Sequence, residues 1–183
     1  EGWFKFALGI DNSFIMSHDP SDLSLFYYSS ANQLVVGDNN GGSPQSYTFI
    51  PDNKWHHFAI NTSFDLYLDG KLQLLIDTAS INVGSNNLFI GMRNEGDYHF
   101  QGQIARISIH NRSLSSSEVR DIMFKKFDDL NSTYTDSLAG WWQFDEGELT
   151  AVADSSANGN NGTASHSTVW ASAGTFTPGT STL

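Results

Sequence analysis

The tempo of the sequence constrains the fold more than any other feature. Short apolar or alternating runs at 3–8, 23–28, 33–36, 47–50, 55–60, 65–68, 72–76, 88–90, 104–109 and 141–144 are separated by residues that suit tight turns. Runs of this length read as strands, because successive side chains of a strand point to opposite faces. The punctuation includes Gly37-Asp38-Asn39-Asn40-Gly41-Gly42, Pro51-Asp52-Asn53, Asp69-Gly70 and Gly84-Ser85-Asn86-Asn87. Such residues adopt positive φ or hydrogen-bond their own backbone. So many short strands bury their apolar faces only by pairing antiparallel and packing sheet on sheet. The expected class is all-β, an antiparallel two-sheet jelly-roll sandwich. Its sharpest unit is Phe64-Asp65-Leu66-Tyr67-Leu68-Asp69-Gly70-Lys71-Leu72-Gln73-Leu74. An Asp-Gly pair between two alternating runs predicts a hairpin, since its positive φ angles match strand twist.

One short helix near 115–126 interrupts the strands. Ser115-Ser116-Ser117-Glu118 has the spacing of a capping box, with Leu114 and Val119 placed as a hydrophobic staple. Val119, Ile122 and Met123 share a face, and Lys125 and Lys126 follow in the last turn, where cations suit the helix dipole. The polar stretch 127–138 reads as a linker or crossing loop. The tail from 159 to 183 is rich in Gly, Ser, Thr and Ala, with Trp170 and Phe176 as its anchors.

Composition narrows the function. The 183 residues are 39% hydrophobic and 13% aromatic, enough for a self-sufficient core, so disorder is excluded. Nine Lys+Arg against 20 Asp+Glu give a net charge of -11, which repels nucleic acid and anionic lipid. The absence of cysteine removes disulfides, thiolate zinc sites and cysteine nucleophiles. No run approaches about 18 consecutive apolar residues, so membrane insertion is not expected. Glu1 stands in an apolar run without the pattern of a signal peptide, as in a chain that begins inside a longer protein.

Several motifs in order resemble the laminin-G-like, concanavalin A-like jelly-roll superfamily: Lys54-Trp55-His56-His57-Phe58-Ala59, Leu66-Tyr67-Leu68-Asp69-Gly70 and Leu88-Phe89-Ile90-Gly91. Phe100-Gln101-Gly102-Gln103-Ile104, then Ile107-Ser108-Ile109-His110-Asn111-Arg112-Ser113-Leu114-Ser115 and Glu118, resembles that family's closing strand and short helix. Gly140-Trp141-Trp142-Gln143-Phe144-Asp145-Glu146-Gly147, with Asp154-Ser155-Ser156-Ala157-Asn158-Gly159-Asn160-Asn161-Gly162-Thr163, resembles the opening strand and first loop, but stands at the opposite end of the chain. The resemblance implies a body over 1–126 and, over 139–183, the opening of the same or a neighbouring copy. Reading Leu183 into Glu1 gives Ser181-Thr182-Leu183-Glu1-Gly2-Trp3-Phe4-Lys5, which looks like one family strand. The order is that of a permuted domain or one period of a repeat, and 141–147 completes its own sandwich or, by strand donation, the next.

Candidate chemistry divides accordingly. The Glu-x-Asp-x-x-Glu pattern of jelly-roll glycosidases is absent, and Asp145, Glu146 and Glu148 read as a polar strand end. No Gly-x-Ser-x-Gly elbow occurs. His56 and His57 are adjacent on a strand and point to opposite faces, so they cannot share a metal. Calcium, which the resemblance implies near such loops, would draw oxygens from Asp154, Asn158, Asn160 and Glu146; the alternative is an Asx-rich turn that caps its own backbone. Ala105 stands where related domains often carry an acid, a departure that counts against the metal.

For carbohydrate, Trp141 and Trp142 place one ring on each side of a strand, and the outward ring with Tyr98, His99 or Tyr27 and Tyr28 would form a platform. Sequons at Asn61, Asn111, Asn131 and Asn161 would carry glycan only in a secretory pathway, and chance supplies about that many in a chain so rich in Asn, Ser and Thr. The expected function is a non-catalytic extracellular or cell-surface module, an adhesion or structural repeat whose partners are neighbouring copies of itself or extracellular glycans. A carbohydrate-binding module of a polysaccharide-degrading enzyme is the alternative.

Overall fold

The computed structural model describes residues 1–18, 23–37, 44–61, 63, 65–74, 87–93, 98–147 and 150–164. The strands are β1 (Gly2–Phe6), β2 (Ser13–His18), β3 (Ser24–Tyr28), β4 (Gln33–Gly37), β5 (Gln45–Thr48), β6 (His56–Ile60), β7 (Leu66–Leu68), β8 (Lys71–Leu74), β9 (Leu88–Ile90), β10 (Gly102–His110), β11 (Leu138–Trp142), β12 (Ala151–Val152) and β13 (Gly162–Thr163). They form a six-stranded sheet ordered β11-β10-β1-β6-β7-β8, a five-stranded sheet ordered β5-β4-β3-β2-β9, and the small pair β12-β13. The pairs are antiparallel, as the short alternating runs require. Phe4, Phe6, Ile15, Leu25, Leu34, Val36, Phe58, Leu66, Ile107 and Trp142 fill the space between the two large sheets.

The Asp-Gly hairpin forms as expected: Asp69 and Gly70 both have positive φ, 50° and 71°, and Leu68 pairs with Lys71. Phe64 and the run beyond Leu74 lie outside the described residues. β2 is the strand that the sequence hid. Phe14 pairs with Phe26 and Met16 with Leu25, so Ile15 is an extra residue in a bulge that breaks the period-2 alternation a strand shows.

The capping box is present around α1 (Ser116–Ile122): the Ser115 hydroxyl accepts from the Glu118 N–H, and the Glu118 carboxylate accepts from the Ser115 N–H. Leu114 and Val119 are both buried in the layer that α1 makes on the outer face of the six-stranded sheet. One expectation is corrected here. Residues 127–138 are no linker, because a 3-10 turn at Phe127–Asp129 and α2 (Ser132–Thr135) extend that layer, with Tyr134 buried and the Phe127 ring 6.0 Å from Trp141. The helix is therefore not single. Asn131 caps α2 by accepting the Thr133 N–H, a local signal that a polar stretch conceals.

Beneath α1 lies a buried polar knot. Arg106, at φ 40°, donates to the carbonyls of Ile122 and Lys125, pairs with Glu1, and lies 4.9 Å over the Trp141 ring. His57 meets the same Glu1 carboxylate at 2.6 Å, and Trp3 donates to Met123 O at 3.0 Å. These bonds hold the C-terminal end of α1 against the sheet, since the last carbonyls of a helix have no partner within it.

β11 forms one edge of the six-stranded sheet. It pairs with β10 of the same chain, Ile107 with Trp142 and Ser108 with Trp141, and so completes its own six-stranded sheet.

Candidate functional site

The two tryptophans take opposite sides, as alternation demands, yet neither offers a free ring. Trp142 faces the inter-sheet core at 9% exposure and Trp141, facing out, is at 0% because α1, Phe127 and Arg106 cover it. The expected platform on Trp141 and Trp142 is thus a misassignment: the outward ring is enclosed by a helical layer.

The aromatic surface lies on the other sheet. On the outward face of β2 and β3, Phe14 stacks on Phe26 with centroids 4.7 Å apart and planes 13° from parallel. Tyr98 stands next to them, 6.0 Å from Phe14, and is 50% exposed. Its carbonyl accepts the Phe14 N–H at 3.3 Å, which pins the loop carrying the ring to β2. The Arg93 guanidinium lies 6.0 Å over the Tyr98 ring. Tyr27 points inward and donates to Asn32, so Tyr28, next along β3, shares the outward face with Phe26 and is 43% exposed. Of the aromatics read from the sequence, Tyr98 and Tyr28 therefore meet on one surface. His99 follows in the same loop, where its carbonyl accepts from the Ser13 hydroxyl.

A second recess is formed by the β7–β8 hairpin and α1. It is a cleft of about 570 Å³ lined by Tyr67, Asp69, Gly70, Lys71, Leu72, Ser116, Arg120, Met123 and Phe124. Gly70 is required there: besides its φ of 71°, a Cβ would come within 2.8 Å of Arg120 Cγ, which crosses the turn. Asp69 is spent within the protein. One carboxylate oxygen meets His56 Nδ1 at 2.8 Å and the other accepts the His57 N–H at 2.9 Å. Burial pulls the His56 pKa down, but Asp69 and Asp52, which flank its two ring nitrogens, outweigh burial and raise it.

The Asp154 loop is a self-capping turn. Asp154 accepts from the N–H groups of Trp141, Ser156 and Asn160 and from the Ser156 hydroxyl. Burial pushes its carboxyl up, and those donors bring it below the usual carboxylate range. Asn158 and Asn160 turn their amide nitrogens to the carbonyls of Leu138 and Ala139, Asn161 caps the Asp154 N–H, and Glu146 accepts from Ala153 N. A calcium ion would have to compete with those donors for the Asp154 oxygens. In this arrangement the Asp154 oxygens are taken up by backbone and hydroxyl donors, while Glu146 Oε2 is buried without a hydrogen-bond partner. Among the described residues no three His, Asp or Glu side chains gather as a metal site.

The profile of the concanavalin A-like lectin/glucanases superfamily matches residues 3–120. The chain belongs to this superfamily. A solved structure of similar fold is a Bacteroides ovatus protein proposed to bind carbohydrate; it is 16% identical, superimposes with a TM-score of 0.66, and the match covers 88% of this chain and 50% of that one. The chain thus spans about half the length of that protein. No curated protein sequence matches.

In this concanavalin A-like domain the remaining candidates have structural uses. His57 is buried against Glu1, and burial lowers its pKa. Asp145 is exposed, whereas Glu148 lies outside the described residues. Among the sequons, the Asn61 side chain is bound at both ends, its nitrogen to Asp65 and its oxygen to the N–H groups of Ser63 and Asp65. Asn111, Asn131 and Asn161 are exposed, and the last two use their side-chain oxygens as caps. Phe14, itself buried at 3% exposure, escaped the sequence reading because the bulge disguised β2, whereas its stacking partner Phe26 lies in the 23–28 run that the sequence does show.

Proposed function

We propose that this chain is a non-catalytic adhesion module of a secreted or cell-surface protein, and that it binds glycans. The observation that carries the reading is the outward face of β2 and β3, where Tyr28 and Tyr98 stay exposed beside the Phe14–Phe26 stack. A sugar ring presents C–H bonds on its faces and hydroxyls at its edge, so it pairs with an aromatic surface bordered by polar groups. The proposed carbohydrate binding of the Bacteroides ovatus neighbour supports the same class of ligand. The non-catalytic part rests on the sequence, which lacks the paired-carboxylate signature of jelly-roll glycosidases.

A polysaccharide and glycan array, followed by calorimetry on the retained ligand, tests the reading. Wild-type protein should retain at least one glycan, and Tyr98→Ala should weaken it about tenfold while the melting temperature stays unchanged. An array without any retained glycan, or binding indifferent to both Tyr98→Ala and Tyr28→Ala, would overturn it.

A further inference from the structure

The cleft between the Asp69-Gly70 turn and α1 lies over the six-stranded sheet, on the opposite side of the sandwich from the tyrosines, and the platform makes no use of it. Its chemistry is one-sided. Lys71 and Arg120 bring only hydrogen-bond donors, and the Ser116 hydroxyl adds another. The sole carboxylate in the wall, Asp69, already has both oxygens committed to His56 and the His57 backbone. Leu72 and Phe124, each 43% exposed, provide the apolar surface between these groups. A ligand that satisfies this wall must supply the acceptors and an apolar face.

The charges sharpen the point. The whole chain has only nine Lys and Arg at a net charge of -11, yet two of those cations line this one cleft. Lys54, Arg106, Arg112 and Lys125 are each paired with a carboxylate, whereas Lys71 and Arg120, like Lys5 and Lys126, form no ion pair among the described residues, and of these only Lys71 and Arg120 line the cleft. Their charges suit an anion. The Arg fork matches a carboxylate with two parallel N–H bonds, and the Lys ammonium adds a point charge from the hairpin side.

We propose that the cleft binds the uronic acid residue of an acidic polysaccharide, its carboxylate between Arg120 and Lys71 and its C–H face on Phe124 and Leu72. The preference for a carboxylate rests on the cleft alone; that it is carried by a sugar rests on the glycan-binding reading above. The remaining hydroxyls of the sugar face the open mouth and water, so the few polar groups of the wall suffice. Since the pair forms in a solvent-exposed cleft, added salt weakens it.

Calorimetry on the full chain separates the two claims. The probes are tetrasaccharides of galacturonate, mannuronate and hyaluronan, each alongside its carboxyl-reduced form, with a glycan retained on the array as the reference. At least one acidic tetrasaccharide should bind, and carboxyl reduction, Arg120→Gln or Lys71→Gln should each weaken it about tenfold, the factor one charge-assisted hydrogen bond provides. Tyr98→Ala should leave that binding unchanged. Equal binding of acidic and reduced forms, or indifference to both substitutions, overturns the inference. If the reference glycan binds through Tyr98 and no acidic tetrasaccharide binds, the acidic site is wrong while glycan binding stands; if nothing binds, both fall.

Discussion

The two outer faces of the sandwich obey the same alternation and meet opposite fates. On the six-stranded sheet the outward residues Tyr67, Ala59 and Trp141 are buried under α1 and the turns that follow it, and even the charged Arg106, Glu1 and His57 are enclosed. On the five-stranded sheet the outward aromatics of β2 and β3 end in the exposed rings of Tyr28 and Tyr98. Outward aromatic residues therefore lead to exposed tyrosines on one sheet and to a second core on the other. What decides is whether a helix covers it, and that depends on a capping box about 25 residues from Trp141 in sequence.

Breaking the covered side should cost the most. Arg106→Ala leaves the Glu1 carboxylate buried beside His57 without its guanidinium partner and frees two helix-end carbonyls, so chemical denaturation should show a loss of about 3–5 kcal/mol. Trp141→Ala removes an aromatic group fully enclosed between β11 and the helical layer and should cost about 3–5 kcal/mol, whereas Tyr98→Ala should stay within about 0.5 kcal/mol. Similar stabilities for those two variants would erase the contrast between the faces.

Smaller effects sharpen it. Asp154→Ala strands several N–H groups at the end of β11 and should cost about 1–3 kcal/mol, yet a chelator should leave the melting temperature of the wild type unchanged. A chelator-dependent shift would restore a metal role for that loop. Smallest is Glu118→Gln, at up to about 1 kcal/mol, because the amide oxygen still accepts the Ser115 N–H and only the charge paired with Arg112 is lost. Its bond to Arg112, followed by that to the Ser115 N–H, lowers the Glu118 pKa from 4.5 to about 2. A depressed carboxylate stabilises the fold above its unfolded pKa of 4.5 and loses that contribution as pH falls toward about 2. The wild type and Glu118→Gln should therefore converge in stability over that acid range.

Most of the sheet architecture was legible because strand signals are local. Runs such as 55–60 and the Asp69-Gly70 turn encode alternation and positive φ within a few residues, and the structure reproduces both. β2 was illegible because its bulge places Ile15 and Met16 on the same side, so its apolar residues no longer alternate. The polar stretch 127–138 was misread for another reason. Its helical turns are held by Phe127 and Tyr134 docking onto residues distant in sequence, where propensity alone is weak.

The candidate sites divide along the same line. That Trp141 and Trp142 face opposite ways follows from the pleat of a strand and can be read directly from the order of residues. That the outward ring is sealed, that Tyr98 comes to rest beside Phe14, and that Lys71 meets Arg120 across a cleft were decided by tertiary structure alone. The reason is physical. Direction along a strand is fixed by covalent geometry, but exposure and juxtaposition depend on which surfaces pack together, and those surfaces belong to segments far apart in the chain.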